Sequence, residues 1–585
     1  MNSNKVKEKS FKILFAFTAA LCIVAVIAIF AFLIIKSVPT FRRIGFFEFI
    51  FGKEWKPNVD DGFTGEIKGK YGVFKMIIGT IVATLGSVIV GGVLGFFTAV
   101  FISKFCPKKL KGAFVTVINL LAGIPSVIFG FFGMVVLLPK LGVFSETGSG
   151  SGLLAVSLVL GLMILPTVVS LSKTSIDAVP DSYYEGARAL GATHEQAVFR
   201  AVVPAAKSGI VASIILGIGR AVGETMAVIM VAGNVVEYPK GLFQSFRVLT
   251  ANIVMEMGYA GDLQLGALIS TGVVLLLFIL IINLLTGLAT SGGKKDKTHK
   301  KRSIEPLAKF FHAIKIEKIG KIVAYVSAVI ASIGLISIIL FVCVNGIPHL
   351  TTQLLFGKYS VRNISIFPAI VTTLMTVGIS LVIAVPIGVF TAIFLNEYSK
   401  KGSKIVRVIR SAIDILAGVP SIVYALFGMV TFVAWFNGRQ SILAGSLTIA
   451  IMLLPTVVRS TEESLKSVSD TLREGSLALG AGKVRTIFKV VLPSALPGIA
   501  SAIILAMGRV VSESAPFVYT MGNCLTTMPK GVMSDGTTLA VALYTLAGEG
   551  QYLNEAYATA FVLLMVRWCR SRRSPLLVGS TVRRV

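Results

Sequence analysis

The sequence contains few charged residues, few histidines and few cysteines. Charged residues make up 14% of the 585 positions and hydrophobic residues 55%. A soluble chain of this length needs roughly twice that charged fraction to cover its surface. The 4 histidines and 5 cysteines are scattered, with neither metal-ligand spacing nor a CxxC pair. The composition therefore argues against a soluble enzyme, a disulfide scaffold and a metal site, and we expect no cofactor.

The sequence also lacks the phosphate-binding loop G-x-x-x-x-G-K-[ST] of ATPases. The stretch GEIKGKY at 65–71 is one residue short and has tyrosine where the motif has Ser or Thr after the lysine. The stretch GAGKV at 480–484 lacks both the first glycine and the final Ser or Thr. Any ATP hydrolysis linked to this chain is therefore expected in a separate subunit.

Acidic residues are scarce: the chain has 28 of them against 56 basic residues, for a formal net charge of +28. A basic chain of this kind can bind nucleic acid when its cations form one soluble patch. Here the lysines and arginines cluster in short segments between long apolar runs. This distribution argues against a nucleic-acid partner and favours a membrane protein.

Eleven apolar runs are long enough to cross about 30 Å of hydrocarbon, allowing for tilt. The first run follows four lysines and ends without a small-residue cleavage site, which predicts an uncleaved span with a cytoplasmic N-terminus. The runs lie at 13–35, 76–102, 114–138, 153–171, 209–232, 266–290, 319–342, 366–395, 409–436, 442–458 and 497–521.

The distribution of positive charge supports this orientation. The loop between the second and third runs carries four lysines and no acid, and the segment after the sixth run reads KKDKTHKKR at 294–302. Both fall on the cytoplasmic side when the spans alternate from a cytoplasmic N-terminus. We therefore expect a multi-pass protein of the cytoplasmic (inner) membrane.

The second half of the chain repeats the first. NLLAGIPSVIFGFFGMV at 119–135 returns as DILAGVPSIVYALFGMV at 414–430, and GRAVGETMAV at 219–228 returns as GRVVSESAPF at 508–517. With six spans each, both halves enter the membrane from the same side, which makes the repeat parallel. The predicted domains are a first half at 1–290, a basic cytoplasmic linker at 291–318 and a second half at 319–585.

Each half carries one polar segment between its fourth and fifth spans, on the predicted cytoplasmic side. EGARALGATHEQAVFRAVVPAA at 185–206 returns as EGSLALGAGKVRTIFKVVLPSA at 474–495. Helix formers before a glycine, and a proline thirteen residues later, predict a helix, a turn and a second helix that the proline closes. The residues that define these coupling segments are Glu185, Gly186, Ala187, Gly191 and Pro204, and Glu474, Gly475, Gly480 and Pro493.

The coupling segments resemble the EAA loop of ABC importer permeases. The resemblance implies that each segment docks on a separate ABC ATPase dimer at the cytoplasmic face, so that closure of the ATPase moves the spans as rigid bodies. The alternative is an ordinary amphipathic surface helix, and duplication at matched positions argues against it. The implied fold is an all-α, type I importer permease of two parallel six-span halves.

Within that family, the chain is most similar to the phosphate-specific permease pair, with the two subunits fused. LPTVVSLS in the first half and LPTVVRSTEESL in the second carry this likeness, together with the repeated segments above. The resemblance implies phosphate as substrate and an extracytoplasmic phosphate-binding protein as partner. A permease for another oxyanion, such as molybdate or sulfate, and an ion-coupled secondary transporter remain alternatives.

Two Arg/Glu pairs lie within predicted spans: Arg220 with Glu224, and Arg509 with Glu513. Four-residue spacing places each pair on one helical face. Charges at membrane depth are costly and usually face a bundle interior or an aqueous pathway. One interpretation is a structural ion pair, and the other is a pathway in which the guanidinium attracts a tetrahedral oxyanion; the two are compatible.

The third span of each half contains a Gly-x-Pro-Ser sequence, which ends at Ser126 in the first half and at Ser421 in the second. Proline removes a backbone donor and kinks a helix, and the polar groups it frees can line a pathway. We therefore count both serines as candidate pathway residues, with a simple packing kink as the alternative.

The last span is expected to be incomplete. The run from Ala556 to Val566 has 11 residues, and it is followed by RWCRSRRSPLLVGSTVRRV, where the first half continues with leucines. Eleven residues cannot span a bilayer. The sequence predicts a truncated or altered tail from about 567, such as a changed reading frame would give.

Overall fold

The computed structural model describes residues 2–57, 69–146, 148–291, 316–360, 363–399 and 403–566. The linker at 291–318 and the tail from 567 lie largely outside these residues, so the predictions made for them remain predictions. The described chain is almost entirely helical, and its one ladder pairs the short antiparallel strands Trp55–Lys56 and Lys70–Tyr71. An all-α fold is therefore confirmed.

The helices follow, with π-helical turns counted inside the helices that contain them. They are Asn2–Ile44, Phe46–Phe51, Phe74–Phe105, Lys108–Ala122, Ser126–Gly142, Leu153–Asp177, Asp181–Ala189, His194–Ala205, Lys207–Gly223, Met226–Val231, Leu249–Glu256, Asp262–Ser291, Ile316–Gly346, Thr352–Phe356, Phe367–Tyr398, Lys404–Gly418, Ser421–Val433, Ile442–Lys466, Asp470–Ala478, Lys483–Ser512, Ala515–Thr520, Leu539–Glu549 and Leu553–Val566.

Within the described residues, 8 helices are long and apolar enough to cross a membrane, or 10 if each of two bent pairs counts as one span. The final helix, Leu553–Val566, is in the shorter class. At 1.5 Å per residue it is about 21 Å long, less than the hydrocarbon thickness. The described part of the last predicted span is thus short, as the sequence indicates.

The third predicted span of each half is not one continuous helix, so the predictions for 114–138 and 409–436 are wrong on this point. In the second half, Val406–Gly418 and Ser421–Val433 meet at 98°. Proline disfavours helical geometry in the residue before it, and Val419 is accordingly extended, with ψ of 130°. The Gly-x-Pro sequence breaks the helix where a kink was predicted.

The compact units of the structure do not follow the sequence halves. One unit comprises residues 1–46, 253–274 and 345–585, and the other comprises residues 47–252 and 275–344. Each unit therefore takes its first long helix from the opposite half of the sequence. The predicted domain boundaries describe the sequence duplication, whereas side-chain packing groups the helices differently.

In the unit built mainly from the first half, Leu153–Asp177 is the central helix. It packs against Phe74–Phe105 and Lys207–Gly223. The approach is closest where Gly91 meets Gly161, because a Cβ on Gly91 would overlap the carbonyl oxygen of Gly161. Small residues let apolar helices approach closely and gain dispersion contacts in a membrane.

In the other unit, Ile442–Lys466 is the central helix, and it packs against Phe367–Tyr398 and Lys483–Ser512. The N-terminal helix joins this unit through the fully buried Phe15. The ring centroid of Phe15 lies 5.3 Å from that of Phe390, 5.6 Å from Tyr398 and 6.4 Å from Phe488. An aromatic cluster thus fixes the helix donated by the first half.

We predict that Gly91→Ala lowers the thermal stability of the detergent-solubilised chain, because overpacking at a close helix contact costs about 1–3 kcal/mol. Gly378→Ala is the matched control, since a Cβ at Gly378 meets nothing within 4 Å. Alanine at an open helical position gains about 0.5–1 kcal/mol over glycine. A melting temperature unchanged by Gly91→Ala would contradict the close packing.

Candidate functional site

Arg220 lies in the last turn of the helix Lys207–Gly223. Its Nη1 donates to Thr167 Oγ1 on the central helix at 3.0 Å. The predicted span 209–232 is wrong as a continuous helix, because Glu224 is extended, with ψ of 136°, and a new helix starts at Met226. Glu224 is therefore the first residue beyond the helix, and it does not share a helical face with Arg220 as predicted.

Glu224 has a local role in starting the next helix. Its Oε1 accepts the backbone N–H of Ala227 at 3.3 Å, and its carbonyl oxygen accepts the Thr250 hydroxyl at 2.9 Å. An acid is favourable near a helix N-terminus and a cation near a helix C-terminus. The Arg–Glu sequence thus supplies the favoured charge at each end of the break.

The second half repeats this break. Lys483–Ser512 ends before Glu513, which is extended with ψ of 142°, and Ala515–Thr520 follows. Arg509 Nη1 donates to Thr456 Oγ1 at 3.1 Å, and Arg509 Nε lies 3.7 Å from Glu513 Oε1. The side chains of this ion pair are 34% and 21% exposed. Each break thus holds a partly accessible guanidinium that a threonine of the central helix orients.

The structure brings the two broken elements of each unit together. The helix that begins at Ser126 packs on Met226–Val231, where a Cβ on Gly130 would lie 2.9 Å from the Cα of Ala227. The helix that begins at Ser421 packs on Ala515–Thr520 in the same way. Both serines are the first helical residues after a proline. In each unit, two helix breaks therefore lie close together, one after a proline and one beside the Arg/Glu pair.

Both coupling segments have the predicted helix, turn and helix. Asp181–Ala189 and Asp470–Ala478 end in turns where Gly191 has φ of +85° and Gly480 has φ of +80°. The proline closes the second helix as predicted in the first half, but not in the second half. His194–Ala205 ends one residue after Pro204, and a 69° bend separates it from Lys207–Gly223, whereas Lys483–Ser512 continues through Pro493. The π-helical turn Ile487–Val491 lies directly before Leu492 and Pro493, so the hydrogen-bond pattern is already irregular where the proline has no N–H to donate.

Two leucines that sequence reasoning missed mark the tips of these segments. Leu190 and Leu479 precede the turn glycines at equivalent positions, and each is 90% exposed. Glu185, Gly186, Glu474 and Gly475 are exposed on the helices before them. The repeated leucine before glycine was visible in both sequence copies. Its exposure could not be read from the sequence, because leucine at that position also fits a buried helix end.

Different chemistry anchors the two coupling segments. In the first, the Tyr184 hydroxyl bonds His194 Nδ1 at 2.8 Å, and His194 Nε2 contacts the carbonyl oxygen of Lys104 at 3.2 Å. In the second, Arg473 Nη2 pairs with Glu397 Oε1 at 3.0 Å. The Arg473 and Glu397 side chains are only 15% and 8% exposed. Each anchor ties a coupling helix to the end of the neighbouring span.

Each coupling segment is bonded to the first long helix of the other sequence half, Ile316–Gly346 or Asn2–Ile44. Lys321 Nζ lies 3.0 Å from Glu195 Oε1, and Glu317 pairs with Arg200. In the other unit, Glu8 Oε1 accepts the backbone N–H of Lys483 at 2.9 Å. Each coupling segment is therefore bonded to a helix that belongs to the other sequence half.

We predict that Lys321→Glu speeds hydrogen exchange in His194–Ala205 by a few-fold with little loss of overall stability, because exposed ion pairs contribute little to folding. Glu195→Lys should have the same effect, and the double swap should restore slow exchange. The measurement is amide hydrogen exchange of the detergent-solubilised chain. If the double swap exchanges as fast as the single variants, the ion pair does not hold the coupling segment.

The comparison with known proteins decides the family. Two stretches of the chain, 91–291 and 384–548, match the family model for the inner membrane component of binding-protein-dependent transport systems. Together they cover more than half of the sequence. The chain belongs to this family. This permease is thus a multi-pass membrane protein, and the double match confirms that two permease units are fused.

Relatives with similarity to this permease include fused and single-unit proteins. A phosphate transport system permease protein PstA homolog of Mycoplasma pneumoniae is 28% identical, covering 86% of this chain and 84% of that protein. The probable ABC transporter permease protein YqgH of Bacillus subtilis is 38% identical over 46% of this chain and 87% of that protein. PstA 1 of Mycobacterium tuberculosis is 44% identical over 27% of this chain and 51% of that protein.

Proposed function

We propose that this permease forms the membrane pathway of an ATP-driven importer of inorganic phosphate. The observation that carries the proposal is the similarity over 86% of the chain to a fused relative named for phosphate transport. Charged side chains at membrane depth are costly and mark substrate or ion pathways, and cationic ones favour an anion. Each compact unit supplies one such group, Arg220 or Arg509.

The pathway proposal rests on how these arginines are held. The Nη1 of each guanidinium donates a hydrogen bond to a threonine hydroxyl, at 3.0 Å for Arg220 and 3.1 Å for Arg509. The guanidinium matches the oxygens of a phosphate in geometry and charge. Glu224 and Glu513 lie at the adjacent helix breaks and offer a counter-charge when the anion is absent. Ser126 and Ser421, at the neighbouring breaks, complete the candidate pathway.

The energy source in this proposal is a separate ABC ATPase dimer that binds the two coupling segments. Exposed leucine at the tip of each segment supports this, because both copies of the repeat present the same apolar side chain, 90% exposed, on an otherwise polar segment where a partner can bury it. The coupling segments and the N-terminus then face the cytoplasm. An extracytoplasmic phosphate-binding protein delivers the substrate to the opposite face.

The test is uptake of radiolabelled orthophosphate by proteoliposomes that contain the full chain, the ATPase and the binding protein. We expect uptake only with ATP, and inhibition by unlabelled phosphate but not by sulfate or molybdate. Uptake that needs an ion gradient and no ATP would identify a secondary transporter instead. Preferential inhibition by sulfate or molybdate would assign a different oxyanion.

A further inference from the structure

A polar cluster lies in the first turn of Leu249–Glu256 and on the segment that joins this helix to Met226–Val231. Arg247 joins two asparagines: its Nε donates to the carbonyl oxygen of Asn234 at 2.8 Å, and its Nη1 donates to Asn252 Oδ1 at 3.0 Å. Asn252 is fully buried and Arg247 is half-buried. Asn234 has φ of +58°, a conformation that asparagine tolerates better than most residues. The cluster is thus a fixed arrangement around one guanidinium.

Each asparagine leaves one buried polar atom without a hydrogen-bond partner. These atoms are Asn252 Nδ2 and Asn234 Oδ1. The other atom of each amide fixes its orientation, because Asn252 Oδ1 accepts from Arg247 and Asn234 Nδ2 donates to the Ile229 carbonyl oxygen at 2.8 Å. The cluster therefore presents a defined donor and a defined acceptor. Leaving such groups buried and unpaired costs about 1–3 kcal/mol each, so they indicate an absent ligand or water.

The second half of the chain does not keep this cluster. The equivalent segments share matching backbone bonds: Phe246 N–H donates to Ala232 O in one, and Gly536 N–H donates to Met521 O in the other. In this register Asn523 corresponds to Asn234. The positions of Arg247 and Asn252 are held by threonine and alanine, Thr537 and Ala542. The matching backbone hydrogen bond thus forms without the cluster, in a segment where Asn523 does not have the positive φ of Asn234. That bond therefore does not require Arg247 and Asn252.

We propose that Arg247, Asn234 and Asn252 form a binding site for a protonated oxyanion, phosphate in particular, at the end of the first half's pathway opposite its coupling segment. The inference rests on the proposed function and adds an entry site to it. The guanidinium and Asn252 Nδ2 bind anion oxygens as donors. Asn234 Oδ1 accepts a hydrogen bond from the P–OH group that phosphate carries near neutral pH.

This arrangement discriminates between anions of the same shape. Sulfate is fully ionised near neutral pH and has no proton to donate, so it would leave Asn234 Oδ1 unpaired. A site built to accept a hydrogen bond rejects an analogue that lacks the donor, because a buried polar group then stays unsatisfied. The cluster therefore favours phosphate over sulfate through a hydrogen bond, and not through the size of the anion.

The test measures equilibrium binding of radiolabelled orthophosphate and sulfate to the full chain in lipid nanodiscs, without the binding protein. We expect phosphate to bind more tightly than sulfate. Asn252→Asp keeps an acceptor for Arg247, removes the Nδ2 donor and adds a negative charge that repels the anion, so phosphate affinity should fall about tenfold or more. Asn234→Gly tolerates the positive φ and removes the acceptor, so the preference for phosphate over sulfate should disappear.

Asn523→Gly in the second half is the matched control and should leave both affinities unchanged. If the wild-type chain binds neither anion, or if Asn234→Gly keeps the preference for phosphate, an ordered water bridges the two asparagines and the proposal is wrong. Uptake by the complete wild-type assembly is measured separately. Normal ATP-dependent phosphate uptake together with unaffected variants would reject the entry site and leave the proposed function intact.

Discussion

Replacing either membrane arginine with glutamine should reduce phosphate uptake by about a hundredfold or more, because a charge-assisted pair with the anion is lost. Arg220→Gln and Arg509→Gln are each expected to insert into the membrane and bind the ATPase normally. Glutamine keeps an N–H donor for Thr167 or Thr456, the threonine that each arginine contacts at 3.0 or 3.1 Å. The loss should therefore reflect the missing charge and not a collapsed helix break.

The conservative variants Arg220→Lys and Arg509→Lys separate charge from geometry. Lysine keeps the positive charge but not the planar fork of donors, so we expect partial uptake from both variants. Uptake is measured with radiolabelled orthophosphate, and amounts of inserted protein are compared by quantitative labelling. Normal uptake by either glutamine variant would remove that arginine from the pathway and leave the structural ion pair as its role.

Placing a charge on the two exposed leucines should separate the permease from its ATPase. We expect the double variant Leu190→Asp and Leu479→Asp to lose ATPase binding and ATP-dependent uptake. Full burial of a leucine contributes about 1.5–3 kcal/mol, so each lost contact should weaken binding by about tenfold or more. The variant should keep wild-type thermal stability, because both side chains are 90% exposed in the chain itself.

Val143→Asp is the matched control, since this side chain is 83% exposed and lies on the loop predicted to face the other side of the membrane. It should retain both ATPase binding and uptake. Binding is measured by co-purification of the ATPase with the detergent-solubilised permease. Wild-type co-purification by the double leucine variant would show that these tips are not the docking surface.

The sequence was sufficient to predict the membrane-embedded helices, the duplication and the two coupling segments. Each of these depends on a local or periodic property: apolar run length, repeated residues at a constant offset, or a glycine and a proline after helix formers. The structure has the predicted turns at Gly191 and Gly480 because the left-handed conformation at those positions suits glycine.

The helix breaks beside the arginines were missed although a signal was present. Thr225 and Ser514 directly precede the new helices, and Pro516 lies in the first turn of the second one. Hydroxyl residues before a helix and proline at its start are typical N-terminal signals. The surrounding residues are so apolar that run length predicted a continuous span instead.

The exchange of first helices between sequence halves could not be predicted. Phe15, Lys321 and Glu317 fit a lipid-embedded or surface helix equally well, and their partners are distant in sequence. The polar cluster of Arg247, Asn234 and Asn252 was not predicted for a similar reason. Arg247 lies in a loop, where an exposed arginine is common. Only the structure shows that its guanidinium bonds Asn234 and Asn252.

Accessibility of the coupling segments tests the central claim most directly. Cysteines are placed at Gly186 and Gly475, where a new side chain meets nothing within 4 Å in the chain itself, in a background without the native cysteines. A membrane-impermeant maleimide should label both positions in inside-out vesicles, not in right-side-out ones, and added ATPase should protect them. Labelling from the outer side, or no protection by the ATPase, would contradict a pathway driven from the cytoplasm by a separate nucleotide-hydrolysing subunit.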